Sequence, residues 1–270
     1  MNSRTASTEN FPVASFLIAP KHRPTVLAFY RFAREADDVA DDPAMDGEAK
    51  TARLEAFDRA LLGSADGPDS AQTLRTVLLA QGLSLDHPRH LLQAFLADAR
   101  ERPCRSWSDL IAYCRFSAAP VGRFLLDLHG EDRAAWPASD ALCTSLQILN
   151  HLQDAKQDWA DLRRLYVPRD WLVQAGLAER DLLGQYLTPP LRGVFDRVLD
   201  RVDELNLQAR PLVRAIADRR LRMEAAGIHA IALHLAKRLR RLDPLAARVA
   251  PTQLGKAVAL LRALAAGLVR

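Results

Sequence analysis

The sequence predicts an all-α protein, and three features carry that expectation. Apolar residues recur at the three- and four-residue intervals of amphipathic helices along nearly the whole chain. Proline and glycine punctuate this rhythm at spacings suited to helices of ordinary length. No run of alternating β-branched residues is long enough to form a strand. With 270 residues, 49% of them hydrophobic and 26% charged, the chain can bury a sizeable core and lacks the composition of disorder. No linker separates the helices, which favours one domain over 1–270, with the polar residues 1–9 frayed or disordered.

Taken in order, residues 11–18 are apolar and end at Ala19-Pro20, after which Lys21-His22-Arg23-Pro24 opens a helix with a basic turn. Val26, Leu27, Phe29, Tyr30, Phe32 and Ala33 keep the helical rhythm, which Asp42-Pro43 closes. A second amphipathic helix covers 49–62, and 63–70 is a loop rich in Gly, Ser, Asp and Pro. Helices follow over 71–81, 88–100 and 106–129, with Gly82, Pro88 and Pro103 between or at their ends. In the last of these Tyr113, Ser117, Val121 and Leu125 share a face, and Pro120 inside the pattern predicts a kink or a freed carbonyl near position 116. A helix over 138–161 leads into the basic loop 163–168. Stretches 170–183, 188–218, 219–241 and 252–269 complete the set, broken by Pro189-Pro190, Asp243-Pro244 and Pro251.

Two of these helices carry paired aspartates. Asp37 and Asp41 stand four apart, as do Asp154 and Asp158, so each pair points two carboxylates from one helix face. Like charges ~6 Å apart repel by roughly 3 kcal/mol at an effective dielectric near 20. On a solvated face that repulsion is screened; facing a cavity, it calls for a cation. Mg²⁺ suits such a place, because it takes oxygen ligands and is held by one or two carboxylates plus substrate phosphates. Tyr30, Arg34, Asp37 and Asp41 form a single stripe, and Gln147, Asn150, Asp154 and Asp158 form another on an otherwise apolar helix.

The remaining bulk features exclude more than they assign. A net charge of +4 and a pI near 9.2 fit anionic substrates or lipid headgroups. No basic block with interleaved aromatics is present, so nucleic acid has no place in the reading. Cys104, Cys114 and Cys143 are few and unpatterned, as expected of reduced, buried thiols in a cytosolic protein. Nothing near the N-terminus reads as a signal peptide, and no apolar run approaches the ~20 residues of a membrane span. The localisation expected is therefore cytoplasmic, with room for a peripheral position on the inner face of the cytoplasmic membrane.

Four elements together resemble the squalene/phytoene synthase family of head-to-head prenyl synthases. They are FPVASFLIAP near the start, Tyr30-x3-Arg34-x2-Asp37-Asp38-x2-Asp41, Tyr113-Cys114-x6-Val121-Gly122, and Gln147-x2-Asn150-x3-Asp154-x3-Asp158 followed by Arg164-Leu165-Tyr166-Val167-Pro168. The resemblance covers about residues 10–265. It implies an isoprenoid-synthase-like helical bundle around a deep apolar cavity, whose mouth binds diphosphate through two or three Mg²⁺ ions on Asp37, Asp41, Asp154 and Asp158. Where most of the family reads Y-C-x-x-V-A-G-x-V-G, this chain has Ser117-Ala118-Ala119-Pro120 before Val121-Gly122. That form, with the Asn10-Phe11-Pro12-Val13-Ala14-Ser15 opening, is similar to the bacterial hopanoid-pathway branch, which converts presqualene diphosphate and water to hydroxysqualene and diphosphate. In that reading NADPH is not expected, although the missing Gly-rich dinucleotide fingerprint decides little. Sister pathway enzymes are implied as partners.

The resemblance also distributes roles. Arg34, and less strongly Lys21 and Arg164, would donate to diphosphate oxygens, with Asp38 orienting the metal surroundings. Tyr30, Tyr113 and Tyr166 would hydrogen-bond the diphosphate or assist proton movement. Phe16, Val121 and Leu125 would wall the tunnel, and Gln147 and Asn150 would position water, with Ser117 and His151 as lesser candidates. Against this stand plainer readings. Gln147 and Asn150 equally suit buried amides satisfied by neighbouring helices. Phe116, Phe124 and Trp107 suit the core, His22, His129, His229 and His234 suit packing, and Arg238, Arg240 and Arg241 suit a solvated face. Arg248 matches a family arginine only loosely. The last helix, with Leu254, Val258, Leu261, Leu264 and Leu268 beside Lys256 and Arg262, fits an anionic membrane surface, or more commonly an apolar stripe packed on the bundle. Two rival functions remain: condensation of two prenyl diphosphates such as farnesyl diphosphate, and a scaffold that has lost catalysis. Intact aspartates speak against the scaffold.

Overall fold

The computed structural model describes residues 17–100 and 104–268. The expectations for residues 1–9, for the opening over 10–15 and for Phe16 lie outside the described residues. Twelve α-helices order the described chain: α1 (Arg23–Asp41), α2 (Gly47–Leu62), α3 (Asp69–Ala80), α4 (Asp86–Ala99), α5 (Trp107–Ser117), α6 (Ala119–Leu128), α7 (Trp136–Leu162), α8 (Arg169–Gln174), α9 (Pro189–Ala209), α10 (Leu212–Ala215), α11 (Arg219–Leu239) and α12 (Gln253–Leu268). Short 3₁₀ segments lie at Pro20–His22, Arg133–Ala135 and Glu179–Leu183, and the described residues contain no strand. No helix among them is long and apolar enough to cross a membrane.

Helix ends follow local chemistry. The Asp46 carboxylate accepts from the Ala49 N–H at 2.8 Å to start α2, and Gly63 ends it in the left-handed region at φ 109°. Ser106 and Asp109 exchange side-chain and backbone hydrogen bonds in a capping box that starts α5. Asp218 starts α11 in the same manner as Asp46 starts α2, accepting from the Leu221 N–H at 2.8 Å. The Glu131 carboxylate accepts from the Ala217 and Asp218 N–H groups at 2.7 Å each, holding the approach to that helix.

Three expected helices divide. Pro120 cannot donate to the carbonyl at 116, and the helix over 106–129 breaks at Ala118 (φ −128°, ψ −49°) into α5 and α6. Gly176, at φ 70°, interrupts 170–183. Pro211 stops 188–218, so α9 ends at Ala209 and a short α10 follows.

Packing produces two apolar clusters rather than one. Phe29, Phe32, Phe57, Leu54, Leu74 and Leu92 unite α1 to α4 with Phe124 and Leu128 of α6. Leu110, Ile148, Leu149, Phe195, Val198 and Leu235 unite α5, α7, α9 and α11. Leu125 packs against both. Between them lies an apolar chamber of about 380 Å³, walled by Val26 and Phe29 from one cluster and by Leu142, Leu212 and Leu221 from the other. Phe124 is both core, at 2% exposure, and chamber wall. Trp107 stacks on Trp171, as core residues do. Phe116 differs: it is exposed, with its ring edge-on to His90.

The last helix departs from the commoner of its two expected orientations, the apolar stripe packed on the bundle. Its small residues Gly255, Ala259, Ala263, Ala266 and Gly267 are the buried ones, while Leu254, Leu261 and Leu268 are 76%, 65% and 80% exposed. The cause is the close approach of α11. A Cβ at Gly255 would stand 2.4 Å from the His234 ring, and one at Gly267 would stand 2.7 Å from Met223 Sδ, so no leucine fits in that seam.

Gly122 holds α6 against α7 in the same way, since a Cβ there would lie 2.3 Å from Ser139 Oγ and 2.7 Å from Cys143 Sγ. Gly122→Ala is therefore expected to destabilise the fold by about 1–3 kcal/mol, the usual range for overpacking. Urea denaturation measures it, and an unchanged midpoint would show that the two helices separate freely.

Candidate active site

The aspartate helices α1 and α7 line a second cavity, of about 820 Å³, next to the apolar chamber. Tyr30, Ala33 and Val121 belong to the walls of both, so the two spaces adjoin at a neck. Of the polar residues given roles from the sequence, fourteen line this cavity: Asp37, Asp38, Asp41, Arg34, Tyr30, Tyr113, Ser117, Gln147, Asn150, His151, Asp154, Asp158, Arg164 and Tyr166. Lys21 does not. It is exposed on the 3₁₀ turn before α1, and sixteen residues of helix at ~1.5 Å each put it roughly 24 Å from Asp37. Proximity in sequence to the motif misled there. Arg248 is also exposed and outside the cavity wall.

A buried polar network ties the cavity together. α7 ends at Arg163, which takes φ 54°, the left-handed value that residues with a side chain seldom adopt. The Arg164 N–H then returns to the Asp158 carbonyl at 3.2 Å, and its guanidinium reaches across to α1. There Nη1 donates to Asp41 and Nη2 to the Ala40 carbonyl at 2.8 Å. Arg34 spans one face of α1, donating to Asp37 at 3.2 Å and to Asp38 at 2.7 Å. Asp42 serves the chain turn instead, accepting from the Ala44 N–H at 2.9 Å.

Asp98 of α4 is the participant that sequence reading missed. Tyr113 donates to it at 2.8 Å and Tyr166 at 3.0 Å. Its signal was present: Asp98 follows Leu91 by seven and Phe95 by three, so it sits on a helix face that is otherwise apolar. Burial pushes Asp98 up to about 6, against the pull of Arg164 and the two tyrosines. Burial, then Asp41, raises Asp37 to about 7. Tyr113 and Tyr166 are raised well above the phenol value, burial first and Asp98 second, and so remain O–H donors. Burial works against the charge on Arg164, but Asp98, Tyr166 and Asp41 hold it protonated.

The Gln147 amide donates to His151 Nε2 at 3.2 Å, which leaves the ring proton on Nδ1, 4.0 Å from Asp158. His151 is fixed further by stacking on Tyr166 at 3.7 Å. The other singled-out histidines pack: His22 against His129, His229 on the Asn206 carbonyl, and His234 on Thr252. Arg240 is not merely solvated, since it bridges Asp200 and Asp203 at 2.8 Å each. Burial raises the thiols of Cys104 and Cys143 to about 12, and all three cysteines are free.

Among the described residues, eight aspartates face this cavity against two guanidinium groups, those of Arg34 and Arg164. Among the described residues no three His, Cys, Asp or Glu side chains converge into an all-protein metal cage. The donor set thus fits Mg²⁺ of the kind that one or two carboxylates share with a phosphate ligand, and does not fit a closed structural site. An anion entering so acidic a space needs such counter-cations.

A squalene/phytoene synthase family model matches residues 4–257. The chain belongs to the squalene/phytoene synthase family. The family is one of prenyl synthases, and this synthase is 43% identical to a hydroxysqualene synthase of Rhodopseudomonas palustris, over 92% of its own length and 85% of the relative's. It is 42% identical to a hydroxysqualene synthase of Zymomonas mobilis, over 89% and 82%. A phytoene synthase of Rhodobacter capsulatus is 30% identical, over 81% and 66%. The crystal structure of squalene synthase HpnC from Alicyclobacillus acidocaldarius superposes with a TM-score of 0.75 at 32% identity, covering 88% of this chain and 90% of that one.

The raised value of Asp98 has a stability consequence with a definite sign. Its proton is held more tightly in the folded chain than at the ordinary 3.8. The stability it contributes is thus full below about pH 4 and lost as pH rises through about 6. A shift of about two units corresponds to on the order of 3 kcal/mol. Asp98→Asn is expected to flatten that fall in the metal-free protein, leaving the slope nearer pH 7 to Asp37. Chemical denaturation across this range checks it, and an unchanged profile would mean that the ionised carboxylate is fully compensated by its donors.

Proposed function

We propose that this synthase converts presqualene diphosphate and water to hydroxysqualene and diphosphate, with Mg²⁺ bound through Asp37, Asp41, Asp154 and Asp158. The observation that carries the reading is the pairing of an acid-lined cavity with an apolar chamber through a common wall at Tyr30, Ala33 and Val121. Such a pair suits a substrate with a diphosphate head and prenyl tails. Greater identity to hydroxysqualene synthases, 40–43%, than to phytoene synthases, 30% or less, favours water capture over condensation.

When bound, Mg²⁺ would neutralise the diphosphate and stabilise the charge on the leaving group. The protein's own residues supply the rest. Arg34 and Arg164 stand where a guanidinium fork can meet phosphate oxygens once their aspartate partners turn to the metal. Tyr113 and Tyr166, kept as O–H donors and fixed on Asp98, hold the cavity wall. As the C–O bond breaks, its electron pair leaves with the diphosphate, and a cyclopropylcarbinyl cation remains at the neck. The apolar chamber holds the tails and keeps bulk water from the cation while it rearranges. One water then forms the new C–O bond and gives its proton to the departed diphosphate. Gln147, whose amide N–H is committed to His151, offers its carbonyl oxygen to orient that water, and Asn150 lines the same wall.

Incubation of the pure protein with Mg²⁺ and presqualene diphosphate in ¹⁸O-labelled water is expected to yield labelled hydroxysqualene and free diphosphate. Farnesyl diphosphate alone should give no turnover; a C30 product from it would replace this reading with head-to-head condensation. Asp154→Asn should lower kcat by about 10²-fold or more, since even residues that merely orient metal ligands are worth 10–100-fold.

A further inference from the structure

Helix α12 presents large apolar side chains to the outside of the molecule. Leu254, Leu261, Leu264 and Leu268 fall within an arc of about 80° at 100° per residue, and they are 76%, 65%, 49% and 80% exposed. Folding does not use them, because the Gly255, Ala259, Ala263 seam makes the contact with α11. A ridge of this kind on one helix marks an interaction surface, whereas scattered exposed leucines would need no explanation.

The charges around the ridge say what covers it. Lys256 and Arg262 lie on opposite flanks of the ridge, each about 120° from its centre, and both are exposed. No acidic residue follows Asp243 in the chain, whereas Arg248, Lys256, Arg262 and Arg270 all do. An apolar ridge between two cationic edges matches the section of an anionic bilayer surface: acyl chains take the leucines, and the long basic stems reach outward to headgroup phosphates. A second copy of this chain packed ridge to ridge would bring Lys256 and Arg262 of each copy together with no acidic residue on α12 to offset them, which disfavours it as the occupant.

We infer that α12 is a monotopic membrane-docking helix, lying in the plane of an anionic lipid surface with Leu254, Leu261, Leu264 and Leu268 inserted. α11 then stands between the bilayer and the apolar chamber, to which it contributes Leu221, Ala225 and Ile228. Docking therefore places the chamber one helix layer from the lipid. The inference rests on the surface of α12 and not on the reaction proposed above.

The test is co-sedimentation of the full chain with vesicles of equal parts phosphatidylcholine and phosphatidylglycerol, beside vesicles of phosphatidylcholine alone. The chain is expected to pellet with the anionic vesicles, and Leu261→Asp/Leu264→Asp to lose at least about tenfold in affinity while keeping its melting temperature. Lys256→Ala/Arg262→Ala should weaken binding mainly to the anionic vesicles, an effect that added salt reproduces. Equal binding by the leucine variant would overturn the inference, as would no binding by the natural chain. Sedimentation velocity supplies the remaining outcome: a dimer that Leu261→Asp/Leu264→Asp dissociates would assign the ridge to a second copy and also overturn it.

Discussion

The arrangement depends on one buried charge, the Arg164 guanidinium. It leaves the turn after α7, contacts Asp41 and the Ala40 carbonyl on α1, and lies in the field of Asp98 on α4. Three segments with no covalent reason to meet are thereby drawn to one cavity mouth. The electrostatic logic is incomplete without something further. Among the described residues, eight aspartates against two guanidinium groups leave the cavity acidic, and Asp37 is raised to about 7 by burial first and by Asp41 second. Divalent cations with an anionic ligand would relieve such crowding of carboxylates, which is the electrostatic basis of the proposed metal-diphosphate binding.

The fold places this charge cluster beside a space that packing has declined to fill. The cluster of α1 to α4 and the cluster of α5, α7, α9 and α11 meet at Leu125, yet between them the chamber stays open. Interiors normally close such gaps, because each lost contact lowers stability. Gly122 shows that α6 and α7 could hardly be closer where they touch, so the gap is not loose packing throughout. It is confined to the neck and chamber, where Tyr30 and Val121 separate a charged environment from an apolar one.

Much of this was legible in the sequence, for a physical reason. Helical periodicity converts spacing into faces, so the two aspartate pairs and the stripe from Gln147 to Asp158 could be assigned to common surfaces before any coordinates. Spacing does not report which helix faces which. Asp98 lies on α4 without the carboxylate four residues away that marks the two aspartate pairs, and its meaning comes from Tyr113 and Tyr166, which are distant in sequence. Lys21 erred in the opposite sense, adjacent to the motif helix in sequence but at its wrong end. Pro120 marks a kink in the sequence pattern and the helix there divides outright, whereas at Pro211 the pattern continues across the proline and gives no sign of the division.

Of the two orientations the sequence leaves open for α12, hydrophobicity alone favours the packed leucine stripe, and side-chain volume decides against it. Leucines contribute more apolar area than alanines, so an isolated helix would turn Leu254, Leu261 and Leu268 inward. The partner surface decides otherwise: Gly227 on α11 faces Ala259 and Ala263, and His234 and Met223 crowd the glycines at either end. Backbones that approach this closely admit only small side chains, and the leucines are left outside. The unfilled chamber and the exposed ridge are then the same kind of feature. Each withholds apolar surface from the core at some expense in stability, one inward and one outward, and α11 lies between the two.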